Sequence, residues 1–162
     1  MNEVTTIEFQ KPHKIPGILG LPSKEPVADA DWCHQLGAIG QKTLLLVDDE
    51  EAIRHIGQEL LEDMGYKVLL AKDGKEAIGI YEENREEIDI VLLDIMMPNM
   101  GGSEAYDRLK AMNPKVKVLL WSGANVDGLA TDMLKRGCNG FIHKPFSIKK
   151  LQRTITEILD KA

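Results

Sequence analysis

From Thr43 to the end of the chain, short apolar runs alternate with amphipathic stretches. The runs are Leu44-Leu45-Leu46-Val47, Val68-Leu69-Leu70, Ile90-Val91-Leu92-Leu93, Val116-Lys117-Val118-Leu119-Leu120 and Gly140-Phe141-Ile142. Each has strand length, and the central ones are nearly continuous, as strands covered on both faces require. Between the runs the apolar spacing changes to steps of three and four. Ile53, Ile56, Leu60 and Met64 share one helical face that stops at Gly65, and Ile148, Leu151, Ile155 and Ile158 share another. Asp73-Gly74, Gly101-Gly102, Asn113-Pro114 and Gly137 supply the punctuation. Five strand and helix pairs in alternation predict an α/β fold, a parallel sheet between two helical layers joined by right-handed crossovers.

Residues 1–41 read differently. Four of the seven prolines (Pro12, Pro16, Pro22, Pro26) fall there among polar residues without sustained periodicity, which predicts a linker or flexible arm before a domain spanning 42–162. A short helical turn at 31–36 is the competing local reading. With 43% hydrophobic residues in 162, the chain is long enough for one core. A net charge of -6 argues against a surface that neutralises nucleic-acid phosphates. No apolar stretch approaches the length of a membrane span, and the N-terminus MNEVTTIEFQKPHK lacks the apolar core of a signal peptide, so a cytoplasmic chain without membrane contact is expected. Cys33 and Cys138 read as two free thiols in a reducing compartment, and no Cys/His metal spacing occurs.

In open α/β sheets the reactive groups gather where strand C-termini open into loops. There the chain places Asp48-Asp49 after the first run, Asp94 after the third, Ser122 after the fourth and Lys144-Pro145 after the fifth. Three carboxylates on one rim repel one another unless a cation offsets them, and a hard divalent ion such as Mg²⁺ takes carboxylate, carbonyl and water oxygens. A carboxylate left free to attack forms an acyl phosphate, and that transfer needs chiefly in-line positioning and charge neutralisation, which Lys144 and the metal would supply. Ser122 would add a hydroxyl donor that follows a new phosphoryl oxygen. Each residue alone has a plainer explanation: helix capping and dipole-favoured charge for Asp48-Asp49-Glu50-Glu51, a loop cap for Asp94, an ordinary surface lysine and loop serine for the others. Their joint placement on independent strand ends favours the site.

VDDE at 47–50, LLDIMMPNMGG at 92–102, WSGA at 121–124 and FIHKPF at 141–146 resemble the bacterial two-component response-regulator receiver domain, over residues 42–162. The resemblance implies a flavodoxin-like (βα)5 sandwich with strand order 2-1-3-4-5, an order taken from the family rather than from the sequence pattern. It implies that Asp94 is the phosphoacceptor and that Asp49 and Asp94 bind Mg²⁺ directly, with Mn²⁺ as a substitute. Asp48 then acts largely through water, and the Met96 carbonyl completes the protein ligands. Lys144 pairs with the phosphoryl group, the Lys144-Pro145 peptide is cis, and Ser122 and His143 occupy the switch positions. Directly before the lysine, where the resemblance leads one to expect Tyr or Phe, this chain has His143. A titrating imidazole there would make the switch pH-sensitive, while an exposed surface histidine is the more ordinary reading. Met96 and Ala124 fall at positions thought to influence dephosphorylation, and both being apolar implies slow loss of the phosphoryl group.

The implied phosphodonor is a histidine kinase or histidine phosphotransfer protein. Output is expected through docking to a downstream protein, with a homodimer through the same face left open. The competing function is a non-phosphorylated interaction module that keeps the fold. An aspartyl-nucleophile hydrolase ranks third, because Asp94-Ile95-Met96 lacks the second acid of its DxD pattern. With the chain ending after the fifth helical pattern, two architectures are expected: a stand-alone regulator, or the C-terminal receiver of a hybrid sensor kinase.

Overall fold

The structure, a computed structural model, describes residues 41–123 and 126–161. The readings placed on residues 1–40, including the arm, the turn at 31–36 and Cys33, and on Ala124 lie outside the described residues. The chain runs β1 (Thr43–Val47), α1 (Glu51–Asp63), β2 (Lys67–Ala71), α2 (Gly74–Asn84), β3 (Ile88–Asp94), α3 (Gly102–Met112), β4 (Val118–Ser122), α4 (Asp127–Lys135), β5 (Gly140–His143) and α5 (Ile148–Asp160). The strands form one sheet in the order β2-β1-β3-β4-β5, and every neighbouring pair is parallel.

Strand side chains alternate between two cores. Leu45, Val47, Val91, Leu93, Val118 and Leu120 meet Ala77 and Tyr81 of α2, Tyr106 and Leu109 of α3, and Ala130 and Met133 of α4. Leu44, Leu46, Leu92, Leu119, Trp121 and Ile142 meet Leu61 of α1 and Leu151, Ile155 and Ile158 of α5. Consecutive leucines thus serve opposite layers, which is why the runs look continuous. Each stabilises the fold by roughly 1.5–3 kcal/mol.

Helix ends follow local chemistry. The Asp73 side chain accepts from Glu76 N at 2.8 Å to start α2, and Ser147 Oγ accepts from Lys150 N at 3.2 Å to start α5. α1 and α4 close the same way. Gly65 (φ 90°) and Gly137 (φ 97°) take the left-handed conformation. The next residue's N–H returns to a carbonyl five back, Tyr66 to Leu61 and Cys138 to Met133.

Four expectations shift in detail. The capping half of the plain explanation for Asp48–Glu51 falls away, because α1 starts after Glu50 with no side-chain cap bond, while Glu51 does lie in the first turn, where the helix dipole favours an acid. The face α1 turns to the sheet carries Gly57, Leu61 and Met64, whereas Ile56 is 40% exposed and Ile53 and Leu60 lie at its flank. Gly57 lets the helix settle onto Leu46 and Trp121, so the contact line is displaced from the leucine and isoleucine stripe. The fourth strand starts at Val118, with Val116 and Lys117 in the connection before it, and Ile148 is exposed in the first turn of α5.

Candidate functional site

Four polar or charged residues are buried among the described residues, and three of them, Asp48, Asp94 and Ser122, stand at the C-terminal edge of the sheet. Burying a polar group is costly unless it is partnered, so this clustering marks a built site. The β1–β3 register pairs Val47 with Leu93, which brings Asp48 and Asp94 out side by side. The β3–β4 and β4–β5 registers carry the edge on through Trp121, Ser122 and His143. β1 lies between β2 and β3, so the connections after β1 and β3 leave in opposite directions and open a crevice.

Asp48, Asp49 and Asp94 each present an oxygen within 4.8 Å of the others, with Asp48 and Asp94 buried and Asp49 exposed. Lys144 reaches in from beyond β5. Its backbone N–H donates to Ser122 O at 2.8 Å, and its Nζ donates to Asp48 Oδ2 at 2.5 Å and Asp94 Oδ2 at 3.2 Å. The Lys144-Pro145 peptide is cis, as expected. Backbone donors complete the carboxylates: Glu50 N–H to Asp48 Oδ1 at 3.0 Å and Met96 N–H to Asp94 Oδ1 at 3.2 Å. Arg54 Nη1 donates to the carbonyls of Asp48 and Asp49, fixing the loop that presents both acids. Burial pushes the Asp48 carboxyl above the usual carboxylate range. The Lys144 hydrogen bond and charge and the Glu50 N–H pull it down, Asp94 pushes it up, and the net displacement is upward. The donor set, oxygen only with two acids buried, suits a hard divalent cation such as Mg²⁺.

Three further residues shape the site. Gly102 closes the floor beneath Asp94: its N–H donates to Ile95 O at 3.0 Å, and a Cβ there would stand 2.3 Å from Asp94 O. Trp121 puts its ring 4.6 Å from the Lys144 ammonium. Phe141 lies edge-on to His143 at 4.4 Å between ring centroids, so this part of β5 has an aromatic ring, two residues before the position where one was expected. The alternation of strand side chains was the available signal for Phe141. His143 is half exposed, and its Nε2 lies 3.0 Å from Asp127 Oδ1. The Met96 side chain is exposed, and the Cys138 thiol is free and buried.

The family model for the response regulator receiver domain matches residues 44–156. The chain belongs to the response regulator receiver domain family. This receiver domain is 40% identical over 122 residues to the sensor kinase CckA of Brucella abortus, spanning 75% of the chain but 13% of that kinase. It is 37% identical over 120 residues to the chemotaxis protein CheY of Listeria monocytogenes, covering 74% of the chain and 96% of that protein. Among solved structures, a receiver domain protein from Clostridium thermocellum superposes with a TM-score of 0.72 at 28% identity, over 74% of this chain and 95% of the other. A chain of the CheX–CheY–BeF3–Mg complex from Borrelia burgdorferi gives 0.68 at 29% identity, over 74% of this chain and 90% of the other. The flavodoxin-like sandwich and its strand order are therefore those of the family, and the chain is a signalling domain of two-component systems. Receiver domains work with histidine kinases or phosphotransfer partners and bind a metal at an acidic pocket, of which this chain carries the aspartates. Among the described residues, no helix is long and apolar enough to cross a membrane.

Proposed function

We propose that this domain catalyses its own phosphorylation at Asp94, taking the phosphoryl group from a phosphohistidine on a kinase or phosphotransfer protein. The observation that carries the reading is the Lys144 ammonium bridging the two buried carboxylates, Asp48 and Asp94. A carboxylate oxygen of Asp94 attacks phosphorus, the phosphorus–nitrogen bond of the donor breaks, and the departing imidazole keeps the electron pair and takes up a proton. Lys144 is placed to neutralise the phosphoryl oxygens, and Ser122 stands at the neighbouring strand end to donate its hydroxyl to one of them. Asp49, Asp94, the Met96 carbonyl and, through water, Asp48 would hold Mg²⁺ or Mn²⁺, which when bound draws off charge from the transferring group.

The new charge of roughly -1.5 to -2 is what the switch reads. Moving an equilibrium from 1:99 to 99:1 needs about 5.5 kcal/mol of differential stabilisation. Ser122 and the α4, β5 and α5 face, where Leu129 and Leu134 are exposed, carry that change to a downstream protein or a second copy. The domain fits equally a stand-alone regulator and the receiver of a longer sensor kinase, since it covers nearly all of one relative and a small part of the other.

Incubation with Mg²⁺ and acetyl phosphate is expected to add one phosphoryl mass, which Asp94→Asn abolishes. If no donor gives a metal-dependent modification, the domain is a docking module that keeps the receiver fold.

A further inference from the structure

β5 is separated from β3 by β4, and from β1 by both, so the Lys144 side chain must cross the end of β4 to meet Asp94 and Asp48. At that end of β4 stands Trp121, 2% exposed. The indole is fixed on several sides. Its N–H donates to Val47 O at 3.4 Å, and Phe146 stacks on it at 5.8 Å with 29° between the planes. Gly57 lets α1 come down on it, since a Cβ there would be 3.3 Å from Trp121 Cη2 and 2.8 Å from Leu46 Cδ2. Over this immobilised ring lies the Lys144 ammonium, 4.6 Å from the ring centroid.

We propose that Trp121 is a positioning residue for phosphoryl transfer, its electron-rich face holding the Lys144 ammonium in place beside Asp48 and Asp94. The inference rests on the function proposed above. A lysine has among the largest rotamer freedoms of any side chain, and an ammonium that leaves the cluster cannot neutralise an incoming phosphoryl group. The two carboxylates attract it, but both are also candidate ligands of a divalent cation. The indole face attracts a cation through its quadrupole and is no metal ligand, so its hold persists when the acids are engaged elsewhere. An aliphatic residue of similar volume would fill the space and lack that hold.

The test uses the full chain with Trp32→Phe, leaving Trp121 as the sole tryptophan, replaced biosynthetically by mono-, di- and trifluorotryptophan. Fluorination drains the ring face with little change of shape. In the unmodified ring the Lys144 ε-methylene protons are expected upfield by ring-current shielding, and Trp121→Leu returns them to ordinary values. The rate of Asp94 phosphorylation by acetyl phosphate is expected to fall stepwise along the fluorinated series, about fivefold in all. The melting temperature stays unchanged, and Trp121→Phe retains an intermediate rate. Ordinary ε-methylene shifts in the parent, or rates that stay flat along the series, overturn the inference. A parent that accepts no phosphoryl group refutes the proposed function itself, whereas a parent that accepts it with a flat series refutes only the role of Trp121.

Discussion

Replacing Lys144 by Met keeps most of the side-chain stem and removes the cation that closes the carboxylate cluster. At an effective dielectric of 20, the ammonium attracts Asp48 at 2.5 Å by about 7 kcal/mol and Asp94 at 3.2 Å by about 5 kcal/mol before desolvation is counted. Much of that is offset by the cost of holding the charges out of water, and the variant has an escape, since Asp48 can take up a proton. Removing one partner of a buried pair costs about 3–5 kcal/mol, and the escape places this case near the lower end, about 3 kcal/mol at pH 7. The expected drop in melting temperature of the metal-free protein is about 10 °C. Its pH dependence has a definite sign. The Asp48 carboxyl already lies above the ordinary range, and losing Lys144 removes the two strongest influences that pull it down. An acid whose folded pKa exceeds its unfolded one gives its full stability below the unfolded value and loses it as pH rises through the folded value. The gap between variant and parent should therefore be small near pH 4.5 and full at pH 7.5. Mg²⁺ at a hundred times its dissociation constant should restore about 2.7 kcal/mol to the variant. Urea unfolding across pH, with and without Mg²⁺, measures all of this. A loss equal at both pH values and indifferent to Mg²⁺ would refute the reasoning, because it could not come from the carboxylates left without their cation.

Gly102→Ala forces a Cβ against the backbone of Asp94, which cannot move aside as a flexible side chain would. A loss of about 2–3 kcal/mol is expected from urea unfolding, together with slower phosphorylation by acetyl phosphate. His143→Phe removes an exposed pair with Asp127, so stability should change by less than about 0.5 kcal/mol. The pH profile of the phosphorylation-induced fluorescence change should match the parent, and a profile displaced across pH 5–8 would instead make the imidazole part of the switch. Leu151→Ala, in the core under α5, should cost about 2–5 kcal/mol by chemical denaturation and leave the rate of phosphoryl transfer in the folded protein unaltered.

The alternation of apolar runs and amphipathic stretches determined the fold class, the number of units and, through the strand ends, Asp48, Asp94, Ser122 and Lys144. Those signals are local: burial on both faces forces a continuous run, and chemistry at a strand end needs no knowledge of distant partners. The sequence pattern could not show which face of α1 would meet the sheet, because Gly57 adds nothing to an apolar stripe and matters only when Leu46 and Trp121 come against it. Nor could it show that Trp121 stands beneath Lys144, residues joined only when β4 and β5 pair in register and the lysine turns inward. Tertiary structure decided the pairing of Lys144 with both acids and the upward displacement of Asp48, since distance, burial and the field of neighbouring charges exist only once the strand ends converge.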